Sequence, residues 1–200
     1  MDTICYTVAR NHKWEQKIER SLFIGHASSV VSSEEAQAFV ARIREEHAQA
    51  THNCFAYQVG LGQHPLTYFN DHGEPSGTAG RPILNAILHE NLTNTVVVVT
   101  RYFGGKKLGV RGLIDAYYST ALYTLEEAGK IQIIPSFVLK VKLSYAQLSI
   151  IKHLFSTYEA DIEEEDFGAK VKIKVSVPEK FRSNLTSALM GINEVEWEEE

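Results

Sequence analysis

Cysteine is scarce. Cys5 and Cys54 are the only two in 200 residues, which excludes a disulfide-framework domain and is the usage of a reducing compartment. No apolar run approaches the roughly 20 residues of a membrane-spanning helix. The opening segment MDTICYTVARNHKW lacks the apolar stretch of a signal peptide. The expected location is the cytoplasm, with no membrane partner. Several catalytic signatures are also missing. There is no GxGxxG, no His-Glu-x-x-His, no Cys-x-x-Cys and no zinc-deaminase pattern. Ser76 is not in a GxSxG elbow, because Pro75 holds the central position between Gly73 and Gly77. Positive charge is in deficit as well. The net charge of −5 means that any binding of nucleic acid must rest on a local patch.

What is present suits a soluble globular protein of one large domain or two small ones, with 44% apolar and 22% charged residues. The charge is uneven. Residues 1–134 carry 12 Lys and Arg against 13 Asp and Glu, a net −1, whereas residues 135–200 carry 8 against 12, a net −4. Much of that excess lies in Glu163-Glu164-Glu165-Asp166 and Glu198-Glu199-Glu200. Such runs read as solvated turns or tails and repel phosphate.

The most distinctive stretch is Val96 to Gly112, VVVVTRYFGGKKLGVRG. Four consecutive valines read as a strand buried on both faces. Arg101, Lys106, Lys107 and Arg111 follow, with no acidic residue among them, interleaved with Gly104, Gly105, Gly109 and Gly112. A helical pattern runs from Leu113 to Ala128. A strand, a basic glycine loop and a helix start favour an anion, because free N–H groups and the helix dipole add positive potential there. The ligand expected is a phosphate on a nucleic acid, RNA above all. Glycines after a buried strand also serve plain tight turns, so a purely structural role stands beside this reading. Walker A is excluded, because Val110 and Arg111 stand where Lys and Ser/Thr are needed.

In chain order, Ile4 to Ala9 reads as a strand, and Ile18 to Val31 contains a second one. Ser32-Ser33 before Glu34-Glu35 starts a helix whose face is Ala36, Phe39, Val40, Ile43 and His47. Thr51 to Gly60 and Thr67 to Phe69 are strands. Asn70 to Gly80 is dense in turn formers, and Arg81-Pro82 opens a helix from Ile83 to His89. Gly129 caps the long helix, Ile131 to Ile134 is a strand, and Pro135 is a hinge. Residues 135–200 then read β-α-β-β-α-β, a ferredoxin-like order, in a unit small enough to lean on its neighbour. The fold class is α+β, with domains 1–134 and 135–200.

Two motifs, NDHGEPSGTAGRPIL (Asn70–Leu84) and VVVVTRYFGGKKLGVRGL (Val96–Leu113), strongly resemble the Impact/YigZ family, and ERSLFIGHA and THNCFAY fit the same pattern. The resemblance spans about residues 10–128, and residues 135–200 look like the small appended domain of bacterial members. It implies a ribosomal protein S5 domain 2-like first domain and a second domain similar to the C-terminal domain of elongation factor G. It implies nucleic-acid binding or a translation-related role, not a reaction. Eukaryotic Impact restrains a starvation-responsive kinase pathway, but it carries an extra N-terminal module, so that role is not transferred. Lys106 and Arg111 stand where the family usually has an apolar and a small residue, and Asp115 where a basic one is common.

The candidate site is therefore Arg81, Arg101, Gly104, Gly105, Lys106, Lys107 and Arg111 as anion contacts. Asp71, Glu74, Ser76, Gly77 and Thr78 form a supporting turn, in which the two acids cap the next helix or pair with Arg81 and Arg101. Gly77 and Gly80 would present N–H groups to the same ligand as Gly104-Gly105. Of Tyr102 and Phe103, alternation lets one face the cleft. No cofactor is implied, and His52, Cys54 and His72 make a metal site only if the fold gathers them. The alternatives are an enzyme on a small phosphorylated or carboxylated substrate, with Glu74 or Asp71 as base, and a protein-interaction module docking through residues 135–200. A ribosome-associated partner fits the same basic cleft.

Overall fold

The computed structural model describes residues 4–62 and 64–200 and divides into two compact units, Met1–Ile133 and Ile134–Glu200. The chain is mixed α+β. The first unit runs β1 (Cys5–Val8), β2 (His12–Ile18), β3 (Ser21–Ser29), α1 (Ser33–Glu46), β4 (His52–Val59), β5 (Leu66–Asn70), α2 (Gly80–His89), β6 (Thr95–Tyr102), α3 (Gly109–Ala128) and β7 (Lys130–Ile133). Five strands form one antiparallel sheet in the order β2-β3-β6-β4-β5, while β1 and β7 pair separately.

The valine run is the central strand. Val97 and Val99 face a core with α2 and α3, where Ile83, Ile87, Leu113, Tyr117 and Leu125 pack. Val96 and Val98 face α1, through Ala36, Phe39, Val40 and Ile43. Double burial here comes from helices on both faces of an antiparallel sheet. α1 begins as its capping pattern predicts: Glu35 N–H donates to Ser32 Oγ at 3.2 Å, and Val31 N–H donates to Glu35 Oε2 at 2.9 Å.

Two boundaries differ from the sequence reading. β2, HKWEQKI, was not expected as a strand. It is a sheet edge with every second residue exposed, so its apolar signal is thin. α3 starts at Gly109, four residues before Leu113. Gly109 and Gly112 hide the helical period there, and Arg111 thereby lies in the first helical turn.

The second unit runs β8 (Ser136–Leu143), α4 (Leu148–Thr157), β9 (Asp161–Phe167), β10 (Val171–Pro178), α5 (Arg182–Met190) and β11 (Glu196–Glu199). A 3-10 turn precedes each helix. The sheet order is β11-β8-β10-β9, antiparallel throughout. Val171, Ile173, Val175 and Val177 alternate into a core closed by Ile151 and Phe155 of α4 and Leu185 and Leu189 of α5. The acidic runs lie in the two edge strands rather than only in turns or a tail. Lysines answer them: Lys172 to Asp166, Lys174 to Glu163, Lys142 to Glu196 and Lys140 to Glu200. Charged edges of this kind discourage edge-to-edge pairing.

Candidate anion-binding cleft

β6 ends by delivering Arg101 to the rim of the sheet, and residues 103–108 carry the chain into α3. Between this loop and the turn before α2 lies a cleft of about 410 Å³, lined in part by His52, Glu74, Arg101, Phe103, Lys107 and Gly109. The loop must pass close to the β2–β3 turn: a Cβ on Gly104 would sit 1.7 Å from the Arg20 carbonyl oxygen. Gly109 opens α3 at φ +72°, a conformation that L side chains rarely adopt.

The floor of the cleft is a buried polar cluster. Arg101 Nη1 donates to Glu74 Oε1 at 2.6 Å, and the Tyr117 hydroxyl donates to the same oxygen at 2.9 Å. Arg101 Nη2 reaches Ser21 Oγ at 3.3 Å. The guanidinium lies over the rings of Phe23 and Phe103, at 5.4 and 5.3 Å. Its Nε–H is buried without an acceptor among the described residues. His52 Nε2 stands 3.8 Å from Glu74 Oε1. Arg101 is 4% exposed, so it is a brace for the cleft wall rather than an open cation.

The supporting turn is organised by Asp71. Its Oδ1 accepts from Ala79 N–H at 3.0 Å and Gly80 N–H at 2.8 Å, and its Oδ2 accepts from Gly77 N–H at 2.8 Å. This carboxylate caps α2, as the acidic turn suggested. It also takes the N–H groups of Gly77 and Gly80, so they are not offered to a ligand shared with Gly104-Gly105. Thr78 Oγ1 donates to the Pro75 carbonyl at 2.7 Å, and Ser76 is exposed outside the cleft lining.

The remaining cations are dispersed. Arg81 is exposed, over the ring of Phe69 at 5.7 Å, and is not part of the cleft lining. Lys106 Nζ pairs with Glu19 Oε2 at 2.6 Å. Arg111 Nε faces Asp115 Oδ2 at 4.0 Å across one helical turn. Lys107 lines the cleft and has no ion pair among the described residues. Gly105 is exposed at φ +85°. Phe103 is the aromatic that faces the cleft, whereas the Tyr102 hydroxyl turns to His47 Nδ1 at 2.9 Å.

The sequence singled out neither Ser21 nor the bond from Tyr117 to Glu74. Tyr117 reads as a core residue, and it is one, with a polar tip that donates to the buried Glu74. Cys54 is a buried free thiol. Burial pushes its thiol up to about 12, and Sγ donates to the Asp71 carbonyl at 2.9 Å. Burial, and then Cys54 beside it, raises the Tyr117 hydroxyl well above its ordinary range. His52, Cys54 and His72 do not gather as ligands. His72 Nδ1 accepts from Asn53 N–H at 3.0 Å, and His52 Nδ1 meets the His72 carbonyl at 2.9 Å.

Comparison with known proteins is consistent along the whole chain. Residues 19–125 match the Impact N-terminal domain, and residues 141–190 match a domain of unknown function, DUF1949. The chain is 38% identical over 175 residues to the IMPACT family member YvyE of Bacillus subtilis, covering 88% of this chain and 80% of the relative. It is 32% identical to the IMPACT family member YigZ of Escherichia coli, covering 82% and 80%. Protein IMPACT of Mus musculus is 34% identical over 93 residues, which are 45% of this chain and 29% of that protein. A crystal structure described as a hypothetical protein superposes with a TM-score of 0.72 at 28% identity, covering 98% of this chain and 97% of that one. The two motifs that build the cleft, the domain match and the bacterial relatives agree: the chain belongs to the Impact family.

Proposed function

We propose that this protein binds RNA by seating a phosphate at the start of α3, in a role connected with translation. The observation that carries the reading is the helix end itself. α3 is 20 residues long, its N-cap Leu108 makes no side-chain cap hydrogen bond, no side chain among the described residues takes its first N–H groups, and that end opens on the cleft beside Lys107. Unpaired N–H groups, the helix dipole and one unpartnered ammonium together suit a phosphate. The buried Nε–H of Arg101 supports the same reading, since it lies in the cleft wall without an acceptor. Phe103, 44% exposed at the rim, supplies a ring on which a base can stack. The ferredoxin-like reading of the second unit is supported by its β-α-β-β-α-β order, and the S5 domain 2-like reading of the first rests on the family resemblance.

Three of the four loop cations already have acidic partners, so the reading is of one or two phosphate contacts rather than a long basic track. Binding to single-stranded RNA should then fall with salt at a log–log slope of about −0.7 to −1.4. The test is fluorescence anisotropy with labelled single-stranded RNA and tRNA at about 50 and about 200 mM salt. Lys107→Ala should weaken binding about tenfold, the scale of one charge-assisted hydrogen bond. Adding Lys106→Ala and Arg111→Ala should cost little more. Absence of RNA binding at the lower salt, or full affinity in Lys107→Ala, would overturn the reading.

A second reading, turnover of a small phosphorylated or carboxylated molecule in the same cleft, draws on its modest size and on His52 beside Glu74. Neither proposed base suits it. Glu74 Oε1 already accepts from Arg101 and Tyr117, and both Asp71 oxygens hold backbone N–H groups. If RNA fails to bind while inorganic phosphate perturbs the amide signals of residues 109–112, this second reading takes precedence.

A further inference from the structure

His26 and His47 lie outside the cleft and form a pair that the RNA reading does not use. His26 is on β3, and His47 is the residue that ends α1. Both are 7% exposed, and their Nε2 atoms are 3.1 Å apart. Glu46 Oε1 is 3.6 Å from His47 Nε2, and the three ligand atoms all lie within 4.8 Å of one another. Two nitrogens bound at about 2.0–2.1 Å on a tetrahedral zinc ion stand about 3.3 Å apart, so the spacing already suits one shared ion. His47 is oriented by its other nitrogen, through the Tyr102 hydroxyl at 2.9 Å. Metal-bound histidines are commonly held in this way.

We propose that His26, His47 and Glu46 form a binding site for a divalent transition ion of the zinc class, with a further position left to water or a ligand. The half-exposed Glu46 side chain gives the ion access. The surroundings contain opposing charges. Lys13, directly across from His26 on β2, and Arg42 on α1 are repulsive, whereas Glu46 and the partial negative end of α1 are attractive. Burial, then His47 beside it, lowers His26 to about 4, and burial lowers His47 as well. With the ring proton on Nδ1, each imidazole presents its Nε2 lone pair to the ion.

The test uses Zn²⁺ by calorimetry and Co²⁺ by visible absorption on the full chain. One ion per chain is expected, with the d–d bands of a site that contains nitrogen ligands. His26→Gln and His47→Gln should abolish binding. Those two positions are buried, so the decisive variants are Glu46→Gln at the surface and Tyr102→Phe, each checked by circular dichroism. Each should weaken the ion about tenfold. No stoichiometric ion in the wild type, or undiminished binding in both Glu46→Gln and Tyr102→Phe, would overturn the proposal.

Discussion

Two helices of the first unit begin at the same region and treat their free N–H groups in opposite ways. α2 is closed by its own chain, since Asp71 places a carboxylate against three backbone N–H groups. The N-cap of α3 is Leu108, which makes no side-chain cap hydrogen bond; among the described residues no side chain takes the first N–H groups, and that end opens on a cleft. The physics of the two ends is the same, and only the source of the anion differs. A helix end that the fold fills for itself serves stability. One left open beside an unpaired lysine is available to a ligand. Glu74 and Arg101 join the two, because Glu74 belongs to the turn before α2 and Arg101 to the strand that leads to α3.

That joint is where the largest effect is expected. Arg101→Ala leaves Glu74 buried without its partner, which should lower unfolding stability by about 3–5 kcal/mol in urea titration. A loss below 1 kcal/mol would mean that the two helix ends are braced by something else. Next is Asp71→Ala, which strips α2 of its cap and makes it resemble α3. A loss of about 1–2 kcal/mol is expected. Sulfate should then raise the melting temperature of the variant more than that of the wild type, by filling the vacated place. Equal responses to sulfate would separate the two ends. The smallest effect on stability is that of Lys107→Glu at the surface, within about 0.5 kcal/mol, while anion affinity falls further than in Lys107→Ala. A stability loss comparable to that of Asp71→Ala would show that Lys107 supports the fold rather than the ligand.

Local chemistry made much of this readable in advance. Four valines in a row, a hydroxyl cap before two glutamates, and Gly129 after a long helical pattern each act within a few residues. The acidic turn was also readable, since Asp71 lies six to nine residues from the N–H groups it holds. The charge of the basic loop was readable only in part. Lys106 is neutralised by Glu19, 87 positions away, and Arg101 is drawn inward by Glu74 and two aromatic rings. The pairing of Glu74 with Arg101 was among those expected of the acidic turn, whereas Glu19 follows no spacing rule, because its place is set by how strands are ordered in the sheet. The meeting of His26 and His47 has the same origin: they come together only because α1 ends beside β3.

Strand order also governs how this unit can be made. β3 and β4 never pair with each other; each pairs with β6, which comes later in the chain. The hairpins β2–β3 and β4–β5 can close locally, but they stay two separate ribbons with open edges until Thr95–Tyr102 is available. The β1–β7 pair then waits for residues 130–133. Pairings this distant are slow to find, and unpaired edges invite association while they wait. On the ribosome, the valine strand is the piece whose emergence commits the first unit to its fold.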